Sequence, residues 1–186
     1  MVMAPRLRKL VLTAHVTSTV GWLGAVVVFL ALAIIGLTSR DAQTVRAAYL
    51  VMEPAAWLVL IPLSLASLLT GLVQSLGTIW GLFRHYWVLF KLLITVVATI
   101  VLLTYMETFS AMAAIAADPR ADPDVMRNPS PLLHAALALL ALVVATVLAV
   151  YKPRGMTRYG QRRQQRQRPR TSATTGPAVD RKSDLR

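Results

Sequence analysis

Four side chains with acid–base or ligand chemistry sit in or beside apolar stretches of this chain: His15, His85, Glu107 and His134. His15 falls early in the uncharged run "LTAHVTSTVGWLGAVVVFLALAIIGL", residues 12–37. Neutral imidazole suits haem iron and copper, so His15 and His85 are the candidate cofactor-binding pair. His15 lies six residues beyond Lys9, about 9 Å along a helix, and so close to the rim of a membrane. Gln74 falls at the same level. The first expectation for His15 is nonetheless structural, an inward-facing ring hydrogen-bonded to Gln74 or to a hydroxyl, and ligation is the alternative to it. His134 starts a different apolar run on the far side, roughly 15 Å away in depth, so it cannot share a metal with His15. Glu107 falls at a similar depth to His134. The two form a candidate intramembrane polar pair, with Tyr105 or Glu53 nearby, because acids inside membranes usually face a partner. A headgroup position at the end of a long helix is the plainer reading of Glu107. No catalytic residues are expected. The chain has no paired acids, nucleophile motif or phosphate-binding loop, and no enzymatic activity is expected of it.

The elements that must position these residues are long and apolar. Hydrophobic residues make up 56% of the 186 and charged residues 15%, outside the range of soluble domains. Four runs dominate, predicting helices over about 10–37, 55–77, 87–117 and 131–151. Each is long enough to cross a hydrocarbon core of ~30 Å. The fold class expected is therefore an all-α integral membrane protein, a four-transmembrane-helix bundle over residues 1–155. The first run is too long for a cleaved signal peptide and is retained as helix 1. There is no cysteine, which excludes disulfide, iron–sulfur and thiolate chemistry.

Helix faces point to close packing. Ser64, Ser67, Gly71, Gln74 and Thr78 recur at three- and four-residue spacing. So do Thr13, Thr17 and Gly21 in the first helix, Thr95 and Thr99 above Lys91 in the third, and His134, Ala138 and Ala141 in the fourth. Small and hydroxyl residues favour helix–helix contact in lipid. Residues 38–54 read as a charged loop, with Pro54 opening the second helix and Pro62 kinking it. Ser130 is the expected N-cap of the fourth helix, with Pro131 following; Pro153 and Gly155 end it. Trp80, Tyr86 and Trp87 fit an interfacial aromatic belt.

Net charge is +12, unevenly spread. Arg6, Arg8 and Lys9 lead the chain, Arg84 and Lys91 border the middle connection, and eleven Lys or Arg follow Tyr151. Residues 38–54 and 118–130 balance their charges. Basic excess marks the cytoplasmic side, so both termini face in and Asp118, Asp122 and Asp124 face out. Residues 156–186 have little apolar content and are expected to be a disordered basic tail that contacts anionic lipid headgroups. The tail lacks the interleaved aromatics of single-strand binders, so nucleic acid is not the expected partner.

Three segments carry a resemblance: "HVTSTVGWLGAVVVFLALA", "PLSLASLLTGLVQSLGT" with "WGLFRHYWVLFKLL", and "VLAVYKPRGMTRYG". Together they resemble a bacterial integral membrane family of four spans that is labelled only as a domain of unknown function, over roughly residues 7–160. That resemblance implies a multi-pass protein of the bacterial cytoplasmic membrane and assigns no catalytic residue. A weaker similarity, in the pattern His15, six residues, then Trp22–Leu23–Gly24, is to copper-resistance D-type proteins and di-haem membrane cytochromes. Three functions follow as expectations: a non-enzymatic scaffold or accessory subunit, as a homo-oligomer or with a membrane partner and no cofactor; a haem- or copper-binding redox or metal-handling protein; and a small transporter component.

Overall fold

The computed structural model describes residues 3–77, 85–153, 155, 157 and 161–162. Thr78, Trp80, Arg84 and nearly all of the basic tail lie outside the described residues. Helix α1 runs Pro5–Thr38, α2 Ala42–Ala55, α3 Ile61–Gly77, α4 Tyr86–Ala117, α5 Pro123–Met126 and α6 Ser130–Tyr151. No strand occurs among the described residues. Among the described residues, four helices are long and apolar enough to cross a membrane: Pro5–Thr38, Ala42–Gly77, Tyr86–Ala117 and Asp124–Tyr151.

The second span corrects the sequence reading. Residues 38–54 are not a loop. The chain turns through Ser39 and Asp41, and α2 starts at Ala42. Asp41 caps it, accepting the backbone N–H groups of Gln43 and Thr44. Although α2 carries polar residues, Val45, Ala48, Tyr49 and Met52 line one face and are buried. Such a stripe is enough to hold an amphipathic helix against the bundle. Pro54 therefore does not open a helix; it sits inside one. It is followed by a π-helical turn, Ala56–Leu60, in which the Ile61 N–H reaches back five residues to the Ala56 carbonyl. Proline cannot donate to the residue four before it. With Pro54 and Pro62 flanking this turn, the ladder is missing two donors, and a π turn is one way to re-pair it.

The other boundaries need smaller changes. Pro129, not Ser130, occupies the N-cap of α6, and the Ser130 N–H donates to the Asn128 side chain at 2.8 Å. Lys152, in the left-handed region at φ 43°, closes α6 one residue before Pro153. His85, with extended backbone, is the N-cap of α4.

The spans pack in cyclic order. The first contacts the second and fourth, and the third contacts the second and fourth, with α1 against α3 the closest pairing. Short connections between antiparallel neighbours produce this arrangement. Leu10, Leu58, Leu69, Leu137 and Val150 are 60% exposed or more. An outward surface this rich in large aliphatic residues is stable in lipid and an aggregation hazard in water.

The interior divides by depth. Toward the end where α1 begins, the core is hydroxylic: His15, Ser18, Ser64, Ser67, Thr95 and Thr99 are buried. Toward the other end it is aromatic and sulfur-rich, with Phe29, Tyr49, Met52, Tyr105, Phe109 and Met112. Phe109 meets Phe29 edge-on at 5.6 Å and Tyr105 edge-on at 5.0 Å. Most hydroxyls in the first half fold back on their own helix: Ser18, Thr19, Ser64, Thr95 and Thr99 each donate to a carbonyl three or four residues earlier. This satisfies them inside lipid and leaves their small side chains as packing surface.

Candidate functional site

His15 is 7% exposed and joins three helices. Its Nδ1 lies 3.1 Å from the Ser67 carbonyl oxygen and 3.1 Å from Thr70 Oγ1, both on α3. Its Nε2 lies 3.2 Å from Lys91 Nζ on α4. The protonation pattern follows from the partners. A carbonyl can only accept, so Nδ1 carries the proton, and Thr70 Oγ1, which donates to the Ala66 carbonyl, accepts as well. Nε2 is then a lone pair, and the Lys91 ammonium donates to it. Close approach of α3 is needed for this: a Cβ built on Gly71 would stand 3.0 Å from His15 Cε1.

His15 thus faces into the bundle and uses a hydroxyl as partner. Its bonds end at Thr70, one turn short of Gln74. His85 is six residues before Lys91 on the same chain, at the helix cap, with its ring 6.4 Å from that of Trp87. As they stand, these residues do not fit a bis-histidine group, because the one ring lone pair of His15 is directed at a cation. No group of three or more His, Cys, Asp or Glu placed to hold a metal ion is found among the described residues.

At the other end, the expected Glu107–His134 pair is not formed. Tyr105 is buried in the core, and a helix turns 200° in two residues, so Glu107 points away and is exposed. His134 stacks on Tyr105 instead, ring centroids 4.1 Å apart and 28° between planes. The His134 Nδ1 donates to the Ser130 carbonyl at 2.9 Å, and the Tyr105 hydroxyl lies 2.9 Å from Ser130 Oγ. Glu53 accepts a hydrogen bond from the Ser110 hydroxyl, not one from His134.

Tyr105 and His134 border a cavity of about 600 Å³ between α1, α4 and α6. Trp22, 2% exposed, and Phe29 border it on α1. The cavity opens sideways between α4 and α6, where the lining residues Leu93, Val97, Val101 and Leu137 are 43–63% exposed. Nothing in the periodicity of the two helices reveals this gap. It arises because small residues on α6, Ala135, Ala138 and Ala141, line that side.

Two cations hold parts of the bundle together. Lys91 is one. Arg46 is the other: its guanidinium donates to the carbonyls of Ala116, Asp118, Pro119 and Ala121, gathering the C-terminal end of α4 and the turn after it. A cation at a helix C-terminus meets both orphan carbonyls and the negative end of the helix dipole.

A scan of protein-family models, a search of curated proteins and a search of solved structures each find no match to the chain.

Proposed function

We propose that this chain is a non-enzymatic, multi-pass protein of the bacterial cytoplasmic membrane, acting as a scaffold or accessory subunit, with both termini cytoplasmic and the basic tail against anionic headgroups. One observation carries the choice over a haem or copper carrier. Both ring nitrogens of His15 are engaged by protein groups from two other helices, Ser67 and Thr70 on one and Lys91 on the other. A histidine used in this way ties spans together. The charge asymmetry supports the orientation, and the eleven basic residues after Tyr151 support the lipid contact.

An optical spectrum and metal analysis of the protein purified in detergent test this reading directly. The expected result is no Soret band and no copper. A Soret band lost in His15→Gln would replace the scaffold reading by the haem reading. Orientation is tested separately by reporter fusions after Arg186 and within residues 118–130, which should report opposite sides. Deleting residues 163–186 should leave the bundle folded and weaken binding to anionic vesicles in a salt-dependent way.

A further inference from the structure

The cavity between α4 and α6 has a polar end and an apolar length. Of its lining side chains only those of Trp22, Tyr105 and His134 carry nitrogen or oxygen. On α4 the lining runs from Leu93 to Phe109, about 24 Å of helix, which exceeds one leaflet of a ~30 Å hydrocarbon core. Its volume of about 600 Å³ is that of a site for one small ligand. The slot between Val97, Val101 and Leu137 admits a ligand sideways from lipid.

The chemistry at the polar end is directional. His134 Nδ1 donates to the Ser130 carbonyl, so the proton of the neutral ring is fixed there and Nε2 is an acceptor. No partner for Nε2 is found among the described residues. The Tyr105 hydroxyl is engaged by Ser130 Oγ, and the Tyr105 ring holds the imidazole plane by stacking. An acceptor bordering an apolar cavity selects a ligand whose head can donate.

We propose that this cavity binds one membrane-soluble alcohol, its hydroxyl donating to His134 Nε2 and its hydrocarbon chain lying between α4 and α6. Esters, ethers and hydrocarbons of equal length lack the donor and bind more weakly. The site is independent of the His15 contact and of the scaffold reading.

The test uses Trp22 as reporter, because it borders the cavity. In a detergent-solubilised full-length variant with Trp57, Trp80 and Trp87 changed to Phe, dibrominated stearyl alcohol should quench Trp22 saturably. Its O-methyl ether, with the same chain and bromines, should need about five- to ten-fold more ligand, the usual worth of one buried hydrogen bond. His134→Phe keeps a ring against Tyr105 and removes the acceptor; it should erase the difference between the two ligands. Ala138→Phe fills the cavity and should abolish quenching by both. Native mass spectrometry of the wild-type chain reads the same comparison as bound mass and does not depend on the tryptophan substitutions. Equal quenching by alcohol and ether, or discrimination that survives His134→Phe, overturns the proposal. So does disulfide cross-linking between copies carrying Leu137→Cys in a bilayer, which would show the slot covered by a second chain.

Discussion

Lys91 Nζ donates to His15 Nε2 at 3.2 Å across 76 residues of sequence, and no ion pair of Lys91 or His15 with a carboxylate is found among the described residues. A lysine at this depth ordinarily pairs with an acid or extends to the interface. Here its acceptor is a neutral ring whose own proton is held by Ser67 and Thr70. The chain of donors runs in one direction, from α4 through α1 to α3.

That contact is testable as a coupling. His15→Leu and Lys91→Met should each destabilise the bundle, and the double variant should lose less than the sum. The difference should be about 0.5–2 kcal/mol, the range for interhelical hydrogen bonds in membranes. His15→Gln should be milder than His15→Leu, since an amide can keep one of the two partners. Reversible unfolding in mixed detergent measures all four; strict additivity would deny the bond.

Two glycines on α1 should respond in opposite directions. A Cβ on Gly36 would stand 2.9 Å from Tyr49 Cζ, and that ring is 1% exposed and cannot step aside. Gly36→Ala should cost about 1–3 kcal/mol by overpacking. Nothing lies within 4 Å of a Cβ on Gly24. Gly24→Ala should be neutral or stabilising by up to about 1 kcal/mol, from helix propensity alone. Thermal unfolding of the two variants side by side gives the answer, and similar losses would refute the close contact of α1 with Tyr49.

The cap of α2 carries a pH dependence. The Thr44 hydroxyl, then the amides of Thr44 and Gln43, hold the Asp41 carboxyl below the usual carboxylate range. A depressed folded-state value means the cap's contribution is fully present above the unfolded value of about 3.9 and is lost as pH falls through the folded one. The amide protection factors at residues 43–45, taken against the intrinsic exchange rate at each pH, should therefore be flat from neutral pH to about 4 and fall below it. Asp41→Asn, a neutral cap, should remove the pH step while keeping most of the protection. A step that survives in Asp41→Asn would point to another group.

Arg46 should matter more than its surface position suggests. Arg46→Met removes the donor shared by four carbonyls and should raise exchange in residues 116–121 without loosening the hydroxylic half of the bundle. Arg46→Lys should restore only part of the protection, because an ammonium lacks the planar fork. Equal exchange in Arg46→Met and wild type would show that the turn holds itself.

The spans were legible because their signal is composition summed over twenty or more residues, which no local feature overrides. The inward direction of His15 was legible for a related reason: it shares a face with Ser18 and Trp22, and all three are buried. Other features depend on tertiary placement. Polar residues at the start of α2 mask a buried stripe at Val45, Ala48, Tyr49 and Met52, because the charge content of a segment does not reveal the phase of its apolar positions. Glu107 and His134 match in depth, yet depth says nothing about rotation, and Tyr105 holds the inward position two residues away. Lys91 was visible above Thr95 and Thr99, but its acceptor lies on another helix, and the pairing of α1 with α4 side chains is not a property of either sequence. The cavity is a shortfall of volume between two helices, which no single segment encodes.

The π turn after Pro54 has a consequence for the whole second span. The residues that face its neighbours are Val45, Tyr49, Met52, Ala56, Leu60, Ser64, Ser67 and Gly71. They make seven steps over 26 positions, whereas seven α-helical turns take about 25. The wider turn absorbs the surplus residue and acts as a frame correction midway along the helix. Wound as a regular α-helix through 56–60 with no residue removed, the chain would carry everything beyond it about 100° further round. Thr70 would leave His15, and Gly71 would no longer present its bare backbone to the ring. One wide turn thus keeps the aromatic and the hydroxylic halves of a single helix reading against the same neighbour.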